Sequence, residues 1–166
     1  MLSTKAVFGV LSIFFFAAST VSGGTWSPTS LAELVRGADL IVRGQVQAVT
    51  SGPRQEGAPG TTVVVSVLEQ WKGTRVSTLR LVQPRGTEGG IAQEVPGLPT
   101  FRAGEEVILF LVREPRTGYS VLGGKQGKFS VRTDPGSGKR VVEDVTGAQF
   151  DLAQFLSALA ADIPEG

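Results

Sequence analysis

The clearest pattern in the chain is Asp39-Leu-Ile-Val-Arg-Gly-Gln-Val-Gln-Ala-Val49, in which apolar residues recur at every second position. Leu40, Val42 and Val46 fall on one side of this pattern, and most residues between them are polar, which is typical of a strand with one buried face. Gly44 lies inside the stretch, at the kind of position where a strand bends or bulges. The stretch therefore predicts one long strand over residues 39–49.

Two further strands follow and complete a meander. The β-branched run Thr61–Trp71 predicts a second long strand, and Val76–Gln83 predicts a third that returns after a turn at Lys72-Gly73-Thr74. Between the first two strands, Ser51–Gly60 is rich in glycine and proline and is expected to form an exposed loop.

The rest of the chain adds a buried strand, shorter strands and two helices. Val107–Val112 is almost wholly apolar and is expected to lie centrally in the sheet. Shorter strands are predicted at Tyr119–Leu122, Gly127–Thr133 and Arg140–Val142. Ser30-Leu-Ala-Glu33 has the sequence of a capping box that starts a helix ending near Gly37, and Asp151–Leu159 has the apolar stripe of an amphipathic helix.

One long segment, Pro84–Arg102, has no regular period and contains several glycines and prolines. We expect it to be an irregular connection. Connections of this length are uncommon in compact domains unless they bind something or are disordered. The segment is therefore the main candidate for a binding loop.

The N-terminal residues have the layout of a secretory signal peptide. Lys5 precedes an apolar run of 13 residues, Ala6–Ala18, and small residues follow. Because a helix needs about 20 apolar residues to cross a bilayer, we expect residues 1–23 to be cleaved as a signal peptide. Residues 24–166 would then form one exported domain, periplasmic, on the cell surface or secreted, with no membrane span. The chain has no cysteine, so this domain would depend on its hydrophobic core.

The charges of the whole chain nearly cancel, with 16 Lys or Arg and 15 Asp or Glu. No overall field therefore attracts nucleic acid or anionic lipid, and a nucleic-acid partner is not expected. The distribution is uneven, because residues 71–140 hold 12 Lys or Arg and 6 Asp or Glu. This excess predicts either a modest basic face or scattered solvated charges.

Histidine and cysteine are both absent, which excludes Ser-His-Asp triads, thiol nucleophiles and the common zinc sites. The sequence therefore predicts a protein that is not an enzyme and that needs no metal or other cofactor. Glu105 and Glu106 are adjacent at the start of a strand, so they should point to opposite faces and act as turn and edge residues. Glu143 and Asp144 lack the spaced acidic ligands of a calcium loop.

The stretch Gly123-Gly-Lys-Gln-Gly-Lys128 has the composition of a phosphate-binding loop. That motif requires Gly-x-x-x-x-Gly-Lys followed by Ser or Thr, between a strand and a helix. Here Leu122 stands in place of the first glycine, Phe129 follows the last lysine, and a strand comes next. The stretch is therefore predicted to be a glycine-rich connection between strands, whose lysines either meet an anionic partner or keep the turn in water.

Five aromatic residues are candidates for a stacking surface of the kind that barrel proteins use to bind single-stranded nucleic acid or sugars. They are Trp71, Phe101, Phe110, Tyr119 and Phe129. Aromatic residues spread along a chain more often belong to a core, and Phe110, inside the apolar strand, is expected to be buried.

The segment Ala38–Val46, followed by a loop, Thr62–Leu68, Trp71-Lys72-Gly73 and a returning strand, resembles the front half of the netrin-like domain found in tissue inhibitors of metalloproteinases. Ala103-Gly-Glu-Glu-Val-Ile-Leu-Phe-Leu111 is similar to the glycine-led central strand of that family. The order of segments also resembles a group of exported bacterial proteins. The resemblance implies a five-stranded OB barrel with flanking helices. It does not imply protease inhibition, because that activity depends on an N-terminal cysteine to which Gly24-Thr-Trp26 cannot be matched.

Together these patterns predict a mainly β fold, an OB-like antiparallel barrel of five to seven strands with an N-terminal and a C-terminal helix. The leading functional hypothesis is a non-enzymatic binding module of the cell envelope or secretome, whose partner is a protein or an envelope polymer. Two alternatives stay open, a regulator or inhibitor of a secreted metalloprotease and an OB domain that binds oligosaccharide or single-stranded nucleic acid. The candidate partner-binding residues are Arg85, Arg102, Lys125 and Lys128.

Overall fold

The computed structural model describes residues 30–53, 59–84, 86–88, 91–93 and 96–163. The predicted signal peptide, residues 1–23, lies outside the described residues. Within them, no helix is both long enough and apolar enough to cross a membrane.

The described part is mainly β, with a helix near each end. The helices are α1 (Leu31–Gly37) and α2 (Leu152–Asp162). The strands are β1 (Leu40–Pro53), β2 (Pro59–Lys72), β3 (Thr78–Gln83), β4 (Gly86–Glu88), β5 (Ile91–Gln93), β6 (Glu106–Glu114), β7 (Gly118–Val121), β8 (Lys128–Thr133), β9 (Arg140–Glu143) and β10 (Gln149–Asp151).

Five strands close into a barrel in the order β1-β2-β3-β7-β6, and β6 pairs with β1 to complete the ring. These pairings are antiparallel except that of β3 with β7, which run parallel and meet at Leu81 and Tyr119. β8, β9 and β10 extend the sheet outward from β6. The predicted OB-like barrel with two helices is confirmed, and the short parallel seam is its one departure from a wholly antiparallel sheet among the described strands.

Apolar side chains form two cores on opposite faces of this sheet. The barrel core contains Leu40, Val42, Val46, Val63, Val65, Leu79, Leu81, Val107, Leu109 and Leu111. The outer core lies between the sheet and the two helices and contains Leu34, Val35, Ala38, Ile41, Ile108, Phe110, Phe129, Val131, Val142, Phe155 and Leu159.

β6 contributes to both cores. Because successive side chains of a strand point to opposite faces, Leu109 joins the barrel core while Ile108 and Phe110 join the outer core. All three are fully buried. A strand buried on both faces needs apolar residues at every position, which explains why this segment is uniformly apolar. The prediction of a central buried strand is confirmed.

The prediction that all of Ser51–Gly60 forms a loop is wrong at both ends of the segment, where the residues belong to strands. β1 continues to Pro53 and β2 begins at Pro59, and the two strands pair Gly52 with Gly60 across the ribbon. Proline and glycine are tolerated here because a ribbon tip requires fewer ladder hydrogen bonds than the middle of a sheet.

The connection predicted to be irregular, Pro84–Arg102, contains a short hairpin of β4 and β5. β10, which pairs with β9 ahead of α2, was also not predicted. Each of these strands has three residues, which is too few for a period of two to be recognised in the sequence.

α1 begins at the predicted capping box, and α2 begins after Asp151, which caps it although the sequence analysis predicted only the apolar stripe of this helix. The Ser30 amide donates to Glu33 Oε2 at 2.8 Å, and the Glu33 amide donates to Ser30 Oγ at 3.2 Å, which completes the capping box. The Asp151 Oδ1 accepts hydrogen bonds from the amides of Ala153 and Gln154 at 2.9 and 3.1 Å. Side-chain oxygens thus satisfy amides that a helix start leaves unpaired.

Candidate functional site

Residues 96–105 lead into β6, and we call this segment the strap. Near its beginning, the carbonyl oxygen of Gly97 accepts a hydrogen bond from the Lys125 amide at 2.8 Å. At its end, the Gly104 amide donates to Val46 O, and the Val46 amide donates to Glu105 O, both at 2.8 Å. The strap is therefore held between β1 and the glycine-rich connection that follows β7.

The glycine-rich connection is a short 3-10 helix, Gly124–Gly127, between β7 and β8. A Cβ atom on Gly124 would lie 2.2 Å from the carbonyl oxygen of Gly97, and the φ of Gly124 is +61°. A Cβ atom on Gly127 would lie 2.2 Å from the carbonyl oxygen of Leu122. The glycines are required by close backbone packing and, at Gly124, by backbone conformation. The predicted connection between strands is confirmed.

Lys128 lies at the start of β8 and directs its ammonium group at the strap. Its Nζ donates to the carbonyl oxygen of Thr100 at 2.7 Å and to Glu105 Oε1 at 2.6 Å. It also lies 5.0 Å from the centre of the Phe101 ring, within reach of a cation–π interaction. Only 11% of the side chain is exposed. The charge of Lys128 is thus paired inside the fold.

Glu105 is the anionic partner in this network. Its Oε1 also accepts a hydrogen bond from Ser130 Oγ at 2.7 Å, and its Oε2 accepts one from the Arg102 amide at 3.2 Å. We call Glu105, Lys128 and Ser130 the latch, because together they attach the strap to β8. Charge-assisted hydrogen bonds of this kind are stronger than bonds between neutral groups.

The four candidate partner-binding residues fall in different situations. Arg85 lies outside the described residues. Arg102, on the strap, and Lys125, on the 3-10 helix, are both exposed. Lys128 belongs to the latch. The three described residues therefore lie in the strap or against it, and the ammonium group of Lys128 is paired within the fold while the other two side chains face solvent.

The sequence did not indicate the role of Glu105. It was predicted to be a turn or edge residue pointing away from Glu106, and the two carboxylates do face opposite sides. Glu106 pairs with Arg140 at 2.7 Å and with Arg43 at 3.5 Å, while Glu105 belongs to the latch. Strand alternation predicted the directions, but the basic partners come from distant parts of the chain.

The other adjacent carboxylates, Glu143 and Asp144, have partners within the fold. Glu143 pairs with Arg132. Asp144 Oδ1 accepts hydrogen bonds from the amides of Thr146 and Ala148, at 2.8 and 3.0 Å, and so closes a turn. Among the residues that the structure describes, no group of three or more His, Cys, Asp or Glu could hold a metal ion.

The five candidate aromatic residues do not share one surface. Phe110 and Phe129 are buried in the outer core, and Trp71 packs against that core. Phe101 and Tyr119 pack against the barrel core on the other face of the sheet. The expectation that these residues are mostly core is confirmed.

Where β2 and β3 pair with each other, the outward side of the two strands has few groups for stacking or for phosphate contacts. Leu79, Leu81 and Gln83 are buried in alternation along β3, so the intervening residues point outward. The outward residues of the two paired strands are Thr62, Val64, Ser66, Thr78, Arg80 and Val82. This set includes one cation and no aromatic side chain.

Comparison of the sequence with protein-family models and with curated proteins finds no match. The function is therefore argued from the geometry and chemistry of the chain.

Proposed function

We propose that the protein is an exported, non-enzymatic binding module, which uses the strap and the adjoining 3-10 helix to contact an acidic surface on a protein or an envelope polymer. The observation that carries this proposal is the latch. It attaches an exposed connecting segment to β8 through an ammonium group that is mostly buried and has three partners.

A fixed conformation favours binding because less conformational entropy is lost when the complex forms. Removing an ammonium group and a carboxylate from water is unfavourable unless the charges are paired and their remaining hydrogen-bonding groups are satisfied. Lys128 and Glu105 meet this condition through Thr100 and Ser130. The latch is thus expected to keep the strap in one conformation before a partner binds, as in other rigid recognition surfaces.

The charge of the exposed groups indicates the kind of partner. The side chains of Arg102 and Lys125 are exposed, and neither side chain forms a hydrogen bond or an ion pair with another described residue. Lys128 brings no net charge to this surface, because Glu105 neutralises it. Two unpaired cations beside a fixed backbone suit carboxylate or phosphate groups of a partner.

The two alternative functions receive less support. Oligosaccharide or nucleic-acid binding on the barrel face relies on stacking, and no aromatic side chain is among the outward residues where β2 and β3 pair. Regulation of a metalloprotease rests on the netrin-like resemblance, and Gly24-Thr-Trp26 cannot be matched to the N-terminal cysteine on which inhibition in that family depends. Both remain predictions.

The proposal is tested by reversing the two exposed charges. The wild-type protein and the Arg102→Glu/Lys125→Glu variant are immobilised and exposed to envelope extract of the source organism. A control variant, Arg75→Glu/Lys139→Glu, makes the same change of charge at two other exposed positions. We expect one partner to be retained by the wild type and the control, and its affinity to fall at least roughly tenfold in the strap variant. Equal retention by all three, or no retention by the wild type, would contradict the proposal.

A further inference from the structure

The end of the barrel that lies away from the strap collects cations from three segments of the chain. The strap ends at Glu105, and Arg113 lies eight residues further along, near the end of β6. At about 3.3 Å per residue, this places Arg113 roughly 26 Å from the strap. β1 begins, and β2 and β6 end, at this far end, since β1 pairs with both strands there. We call residues 36–39, 72–75 and 113–116 the basic end.

Direct contacts hold the three segments of the basic end together. The Lys72 Nζ donates to the carbonyl oxygen of Arg36 at 3.3 Å, at the end of α1. The Asp39 Oδ2 accepts a hydrogen bond from the Arg113 amide at 2.8 Å. A Cβ atom on Gly73 would lie 2.4 Å from the carbonyl oxygen of Asp39. The backbones that carry these cations are therefore neighbours, although they lie far apart in sequence.

Two of the segments are also fixed by side-chain contacts. Gln70 closes the turn that carries Arg75, because its Oε1 accepts a hydrogen bond from the Val76 amide at 3.1 Å. Arg113 lies over the ring of Tyr119, with its Cζ 5.8 Å from the ring centre, within reach of a cation–π interaction. The cations of the basic end thus stand on an ordered scaffold.

The charge of the basic end is not cancelled locally. Its three segments contain five Lys or Arg and two Asp or Glu, which gives a net charge of +3 in a chain whose total is +1. Both carboxylates accept hydrogen bonds within the fold. Arg36, Arg75 and Arg113 are exposed, and none of them forms an ion pair with a described carboxylate. A local positive field of this kind attracts anions even when the whole protein is nearly neutral.

We propose that the basic end binds the phosphate groups of an anionic phospholipid surface. The guanidinium group of arginine matches the geometry of phosphate and can donate two hydrogen bonds to it at once. The three exposed arginines stand on three separate segments at one end of the barrel, where the strands terminate together. They can therefore meet a flat surface of repeated headgroups at the same time, and each basic residue near such a surface adds to the binding.

Vesicle sedimentation tests the proposal with the exported, purified protein. The wild type should bind vesicles that contain equal parts of phosphatidylglycerol and phosphatidylcholine, and the binding should weaken as salt is added. Binding to vesicles of phosphatidylcholine alone should be at least roughly tenfold weaker, because their surface carries no net charge. These neutral vesicles also report any attachment through apolar residues of the chain.

Two matched double variants locate the binding surface. Arg36→Gln/Arg75→Gln should bind the charged vesicles at least roughly tenfold more weakly than the wild type, since each cation near an anionic surface contributes about a factor of five. The control, Arg102→Gln/Lys125→Gln, removes two exposed charges at the strap. It should stay within about twofold of the wild type, because the strap lies beyond the range of screened charges. Circular dichroism and thermal melting establish that both variants are folded.

Equal binding of the wild type to charged and neutral vesicles, or an equal loss in the two double variants, would overturn the proposal. Soluble polyphosphate provides a further arm. If polyphosphate binds in a manner that depends on Arg36 and Arg75 while the charged vesicles do not, the basic end recognises a phosphate polymer and the proposal of a membrane surface is wrong. The function proposed for the strap does not depend on this outcome, since its test changes Arg102 and Lys125.

Discussion

Replacement of Lys128 by methionine should destabilise the protein through the latch. Methionine retains most of the apolar volume of the lysine side chain, so the main loss is that of the ammonium group. Glu105 would keep its hydrogen bonds from Ser130 and Arg102, but its carboxylate, whose side chain is 19% exposed, would lose its counter-charge.

The size of the effect follows from this geometry. Removing one partner of a fully buried ion pair destabilises a protein by about 3–5 kcal/mol, and both partners here keep some contact with water. We therefore expect the free energy of unfolding to fall by roughly 2–3 kcal/mol. For a domain of this size, that change corresponds to a decrease in Tm of about 6–10 °C.

The assay is a double-mutant cycle measured by urea denaturation, with Lys128→Met, Glu105→Gln and the double variant. Because the two side chains share one network, the effect of the double variant should be smaller than the sum of the single effects by about 1–2 kcal/mol. Hydrogen exchange of the strap amides should accelerate in each single variant. Additive effects, together with unchanged exchange in the strap, would refute the reasoning that the latch fixes this segment.

Three further predictions concern packing and titration. Gly124→Ala should destabilise the protein by at least about 2 kcal/mol more than Gly138→Ala. Both glycines have positive φ, but only at Gly124 would an added Cβ press against the strap backbone. Equal losses of stability in thermal melts would argue against that contact. The pKa of Asp134 is lowered by the hydrogen bonds from the Ser137 hydroxyl and amide. The contribution of Asp134 to stability should therefore be present at neutral pH and disappear as the pH falls through that lowered pKa. An NMR titration in which Ser137→Ala leaves the pKa of Asp134 unchanged would exclude this cause. Phe110→Ala should lower the free energy of unfolding by about 3–5 kcal/mol, and a loss below about 1 kcal/mol in chemical denaturation would contradict its place in the outer core.

Local patterns were sufficient to predict most elements of the fold. The alternation in residues 39–49 predicted β1, the β-branched run predicted β2, and the capping box predicted α1. Each of these signals depends on residues that are close in sequence, because a period of two or a cap involves only a few neighbouring positions. Three-residue strands such as β10 have no such signal, and the sequence did not reveal them.

The candidate site was predicted less completely. The sequence identified a basic region, and the structure places Arg102, Lys125 and Lys128 in the strap or against it. The sequence did not show that Lys128 is paired while the other two cations are exposed, because the partner of Lys128 is Glu105, 23 residues away. Pairing between distant side chains depends on which strands become neighbours, and no local pattern contains that information.

By itself, the sequence determined that the chain forms a β-rich domain with a fully apolar central strand and a helix near each end, because hydrophobic period and capping chemistry are local properties. It also showed that the chain contains neither histidine nor cysteine. Only the tertiary structure decided that β3 and β7 meet to close the barrel, that Gly124 lies against the strap, and that Glu105 pairs with Lys128. These features depend on contacts between segments far apart in sequence, whose geometry is set when the two cores pack on either side of one sheet.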